Sequence, residues 1–169
     1  MKRFSLFAIA AVVLTVLMPQ VSGAAEGSWF DLDNCSMCKN MMAEEGLMEH
    51  MHWENYVIND GMLSITRVDP GFEDAFARSV KNMEQTAQKL MSGEQMYLCG
   101  FCQSYGGLHM AGANFQTVES DVGYIDLITS TDPKIIEMIQ AHAKRTIDEF
   151  KKMQMEEKHH EGHEHHEGS

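Results

Sequence analysis

Two CxxC motifs, Cys35-Ser36-Met37-Cys38 and Cys99-Gly100-Phe101-Cys102, stand 64 residues apart, and the same landmarks follow each of them. After the first, Trp53 to Ile58 reads as a strand, Asn59-Asp60-Gly61 as a tight turn and Met62 to Val68 as a returning strand. Asp69-Pro70 then opens a helix. After the second, Phe115 to Glu119, the turn Ser120-Asp121-Val122-Gly123, the strand Tyr124 to Ser130 and the helix opener Asp132-Pro133 repeat the order. Gly61 aligns with Gly123 at an offset of 62, and Asp69-Pro70 with Asp132-Pro133 at 63. Nearly constant spacing of several landmarks points to an internal duplication, which limits the fold more than any single motif does.

The local chemistry supports each unit. Asp60-Gly61 supplies residues that tolerate the positive φ of two-residue hairpin turns. Asp as N-cap and Pro at the first helical position suit both helix starts. Phe72, Phe76, Val80, Met83, Ala87 and Leu90 fall on one stripe of the first helix. Ile135, Ile139, Ala143, Thr146, Phe150 and Met153 do so on the second. The expected fold is α+β, a (CxxC, β-hairpin, helix) unit used twice. Its four-stranded antiparallel sheet is covered by two long helices on one face.

The N-terminus limits where such a chain works. Lys2 and Arg3 precede an apolar run from Phe4 to Met18. Pro19 then breaks it, and the small residues Val21-Ser22-Gly23-Ala24-Ala25 follow. Residues 1–23 therefore read as a cleavable signal peptide, the run being too short for a typical membrane span. The implied location is periplasmic or secreted, with no stable membrane insertion after cleavage. Residues 24–155 form the expected single domain, with repeats at about 35–91 and 99–154. Residues 156–169 form an unstructured tail rich in His and Glu.

Beyond Lys2 and Arg3 the chain holds 11 basic against 25 acidic side chains, so nucleic acid is excluded as a partner and cations are favoured. In an oxidising compartment paired cysteines end as disulfides or metal thiolates. Cys35, Cys38, Cys99 and Cys102 could make one tetrahedral thiolate set. Asp31 to Asn34 offer caps that place Cys35 at a helix start, whereas Cys99 and Cys102 read as a tighter loop ended by Gly106-Gly107. Neither motif has the Trp, Pro or His neighbours of a thioredoxin-type site. Metal thiolate, structural disulfides and redox exchange stay open at this point.

Soft and borderline donors flank both pairs. Met37, Met41, Met42, Met48, His50, Met51 and His52 lie beside the first, and His109 and Met110 beside the second. Thioether and thiolate suit Cu(I), whereas thiolate and imidazole suit Zn(II). Most of these Met residues are equally suited to packing. His50 and His52 alternate and so share one strand face, while His142 reads as a boundary residue beside an apolar stripe. In the tail, His159, His160, His163, His165 and His166 alternate with Glu, a composition that binds metal with little selectivity.

Cys35-Ser36-Met37-Cys38-Lys39-Asn40-Met41 is similar to the CxxCGM segment of the NosL copper lipoproteins. The spacing to Met41 is one residue longer and the lipidated cysteine is missing, so seven residues of likeness assign no family. No nucleophilic triad, phosphate-cradling loop or HExxH appears. The expectation is an exported Cu(I)- or Zn(II)-binding protein for homeostasis, delivery or sequestration. Its partners would be metal ions and a periplasmic metalloprotein or transporter, with homodimerisation left open. A thiol–disulfide oxidoreductase and a disulfide-stapled interaction module are the alternatives.

Overall fold

Two β-hairpins lie side by side in one antiparallel sheet. The computed structural model describes residues 28–120 and 123–161, with side chains through Met153. The expected signal peptide lies outside these residues, as do the side chains of the five tail histidines. The elements are a short helix α1 (Lys39–Met42), a 3-10 turn (Leu47–His50), β1 (Met51–Ile58), β2 (Gly61–Val68), α2 (Glu73–Met91), α3 (Gly100–Ala111), β3 (Asn114–Ser120), β4 (Gly123–Thr129) and α4 (Pro133–Glu161). The sheet order is β1-β2-β4-β3, every neighbour antiparallel. This is the expected α+β arrangement with a four-stranded antiparallel sheet. No helix among the described residues is long and apolar enough to cross a membrane.

Alternation along the strands sorts the two faces. Met62 pairs with Ile128 and Thr66 with Tyr124, so Met62, Thr66, Val68, Tyr124 and Ile128 share one face. The helices cover that face. Ile139 and Ala143 of α4 and Leu108 of α3 bury against Met62 and Ile128, and Phe76 of α2 packs with Met51, Val68 and Tyr124. Ile128 and Ile139 are fully buried, each such side chain contributing about 1.5–3 kcal/mol. The second stripe runs as expected through Phe150, but Met153 is exposed. The first is buried at Phe76 and only half-buried from Val80 to Leu90.

Several local expectations are corrected. The first hairpin closes with Ile58 opposite Gly61, yet neither Asp60 nor Gly61 has positive φ. Glycine is required for a different reason: a Cβ at Gly61 would sit 1.9 Å from the carbonyl oxygen of Ile128 in the adjoining β4. Asp132 caps α4 as expected, accepting from Lys134 N–H at 2.8 Å. Asp69 does not cap α2, which starts at Glu73 after Phe72 and has no side-chain cap. Its carboxylate is instead occupied by His50 and His52. The second CxxC is no tight loop, because Gly106 and Gly107 lie inside α3. Cys35 precedes a turn, and the first helix begins only after Cys38. His142 is no boundary residue: it is 2% exposed. Finally, α4 continues to Glu161, six residues into the segment expected to be unstructured.

Candidate metal centre

The four cysteines meet. Their sulfurs all lie within 4.8 Å of one another, with Cys38 Sγ 3.7 Å from Cys99 Sγ and 3.5 Å from Cys102 Sγ. Tetrahedral thiolates at about 2.3 Å from a zinc ion stand roughly 3.8 Å apart, so these spacings match one ion's ligand set. Cys35, Cys38 and Cys99 are buried, and Cys102 is partly exposed.

Backbone hydrogen bonds bring the two motifs into register. Asp31 closes the turn before the first pair, its carboxylate accepting from Asn34 N–H and Nδ2 at 3.0 and 2.9 Å and its carbonyl from Cys35 N–H at 3.1 Å. The Asn34 backbone N–H, with its side-chain amide, holds the Asp31 carboxyl below the usual range. Ser36 N–H then donates to Tyr97 O at 2.9 Å, tying the first CxxC turn to the segment that leads into the second. Cys99 is the N-cap of α3 and Cys102 lies in its first turn. Gly100 N–H and Phe101 N–H donate to Ser28 O and Trp29 O, which fastens this helix end to the chain before the first motif. Gly100 suits the close approach there, since a Cβ would come within 3.1 Å of the Trp29 ring and require it to shift by a few tenths of an ångström.

The environment divides the thiols. A hydrogen bond from Cys102 lowers the Cys38 thiol to about 6 against the opposing cost of burial. The Cys102 thiol is raised far above its ordinary value because it donates that bond and is itself desolvated. Burial pushes the Cys99 thiol up to about 11. Ionisation is thus easiest at Cys38, and a cation held at the centre would favour the thiolate form of its neighbours.

The flanking donors have other neighbours. Met41 is buried in the core beside Cys35, Cys38 and Cys99, and Met37, Met48 and the buried Met51 pack on the same cluster. Met42 is exposed. His50 and His52 both reach Asp69. His109, in the last turn of α3, stacks on Phe115 with ring centroids 3.6 Å apart, and Met110 is 90% exposed. Cys102 and His109 are separated by two helical turns, about 10 Å along the axis.

Sequence reasoning passed over Trp29 and Tyr97, and read Asp31 and Asp69 only as helix caps. Asp69 had a signal: a two-residue turn at Asn59-Asp60 places residue 69 opposite residue 50. No family model matches this chain, and no curated protein or solved structure is significantly similar to it.

Proposed function

We propose that this protein is an exported soft-metal-binding protein, for Zn(II) or Cu(I), that serves metal homeostasis, delivery or sequestration rather than catalysis. The observation that carries the reading is the convergence of four sulfurs, within 4.8 Å, from segments more than 60 residues apart. Four thiolates in a tetrahedral set suit Zn(II), and their softness equally suits Cu(I). The His-rich tail would collect metal with low selectivity. The signal-like N-terminus supports export, with a periplasmic metalloprotein or transporter as the receiving partner.

Internal duplication fits this reading, because equivalent motifs from two repeats would meet near a pseudo-twofold axis. The sheet supports it in one detail. A Cβ at Gly61 would strike Ile128 O and one at Gly123 would strike Thr66 O, each at 1.9 Å. The two collisions exchange under the same offset of 62 that aligns the hairpins.

Native mass spectrometry of protein purified from its export compartment without added metal tests the function. The expected mass is that of the fully reduced chain plus one tightly held ion, less two protons for Zn2+ or one for Cu+ at a given charge state. A mass showing two disulfides and no metal would return the chain to the stapled-module reading.

A further inference from the structure

A second set of metal-ligating side chains gathers at the open end of the first hairpin. Met51 pairs with Val68 and His52 with Arg67. Asp69 N–H donates to His50 O at 3.0 Å, so the ladder extends one step and sets His50 opposite Asp69. Residues two apart on a strand share a face, which puts His50, His52 and Asp69 together. Both imidazoles meet the one carboxylate. His50 Nδ1 is 3.1 Å from Oδ2, and His52 Nε2 is 2.8 Å from Oδ1.

We propose that His50, His52 and Asp69 form a second metal site, separate from the four thiols, for a divalent first-row ion such as Zn2+. Two imidazoles and a carboxylate are a borderline-to-hard donor set that suits Zn(II) and disfavours Cu(I). Tetrahedral ligand atoms about 2.0–2.2 Å from one ion stand roughly 3.3–3.6 Å apart, so the two His–Asp hydrogen bonds, at 3.1 and 2.8 Å, would open by a few tenths of an ångström to admit it.

The surroundings leave the site open and partly preorganised. The three side chains are 41%, 42% and 45% exposed, so ion and water have access. The His50 ring is held by stacking on Phe72, with centroids 4.0 Å apart and planes 18° apart. Arg67, on the same face, is paired with Glu54 at 3.1 Å rather than with Asp69. Each ring meets its own carboxylate oxygen. Ion capture therefore requires the exposed His52 ring to swing toward the nitrogen of His50. Exposed His–Asp contacts contribute little to stability, so the hairpin does not need two histidines on one aspartate to fold.

The test uses the full chain with His159, His160, His163, His165 and His166 each changed to Gln, and Zn2+ as the probe. Long-range 15N–1H spectra of the imidazoles should show zinc-dependent shifts at Nδ1 of His50 and Nε2 of His52, with His142 unmoved. Adding H52Q or D69N should remove one zinc per chain in a titration, or weaken it at least about tenfold, the loss that even a supporting residue of a metal site causes. Thiolate-to-metal absorption with Co2+ should be the same with and without H52Q, which separates this site from the cysteine cluster. If that absorption were absent from both chains, the four-thiolate reading would fail while the imidazole shifts still decided this one. Unchanged zinc stoichiometry and affinity in H52Q and D69N would overturn the proposal, as would imidazole resonances that ignore zinc.

Discussion

Replacing Cys35 and Cys99 with Ser should abolish most of the stabilisation that metal gives the folded domain. Each contributes a buried sulfur from a different CxxC segment, both fully buried, so an ion on the four sulfurs ties the first turn to the start of α3. The unfolded chain has no such site, and binding free energy therefore becomes folding free energy. At free zinc a hundredfold above Kd the gain is about 2.7 kcal/mol. For a domain of this size about 4 °C accompanies each kcal/mol, so reduced wild-type protein should melt roughly 10 °C higher with zinc than without. The double variant has a lower metal-free Tm of its own, since a buried hydroxyl without a partner costs about 1–3 kcal/mol. The informative quantity is thus the zinc-induced shift within each protein, read by thermal unfolding under reducing conditions. The expected shift in the variant is less than about 3 °C, a residual that weak sites elsewhere can supply. A variant that kept the full wild-type shift would refute folding-coupled binding at the four thiols.

Three further outcomes are expected. Gly61→Ala and Gly123→Ala should each destabilise the fold by about 2–3 kcal/mol or more in urea titrations, because the added Cβ meets a strand carbonyl at 1.9 Å that cannot yield without shifting the sheet; a loss under 0.5 kcal/mol would contradict the close approach. His142 is buried among Trp29, Phe101 and Tyr105, with Nδ1 2.9 Å from Ser104 Oγ, and burial lowers its pKa from 6.5 to about 4. The unfolded state therefore binds the extra proton first, so stability present above about pH 6.5 should fall by about 3 kcal/mol as pH drops to 4; His142→Phe should flatten that part of the Tm–pH curve. Changing the five tail histidines to Gln should lower total zinc capacity while moving the metal-free Tm by less than about 1 °C, and a larger shift would show that the tail contributes to the fold.

The hairpins and the two long helices were legible because their signals are local. A turn between alternating strands, an Asp-Pro cap at residue 132 and stripes of period 3.6 each declare themselves within a dozen residues. What misled was tertiary competition for the same side chains. Asp69-Pro70 has the form of a helix start, but two histidines across the ladder take the carboxylate, and α2 waits until Glu73. Gly106-Gly107 looks like a break, yet both sit in α3, where Tyr105 and Leu108 on either side pack into the core and offset the low helix propensity of glycine. Gly61 was singled out for its turn conformation, when the constraint is a neighbouring strand that only the sheet order reveals. Of the site, the four cysteines were legible as a possible set. Their meeting was not, because it depends on long-range bonds such as Ser36 N–H to Tyr97 O.

Burial separates the chemistries that a pair of CxxC motifs can perform. Thiol–disulfide exchange needs an ionised sulfur that a substrate can reach. Here the two properties fall on different residues: Cys38, whose thiol is lowered to about 6, is only 3% exposed, while the more accessible Cys102 is held protonated by the bond it donates to Cys38. Structural disulfides would favour two well-separated pairs, but Cys38 stands 3.7 Å from Cys99 and 3.5 Å from Cys102, across the two motifs. A metal ion turns both features to advantage. It needs four sulfurs at mutual distances near 4 Å, it compensates the charge that burial makes costly, and it is protected by the same packing that keeps exchange partners out. The arrangement that weakens the redox and disulfide readings is therefore the one that supports the metal reading.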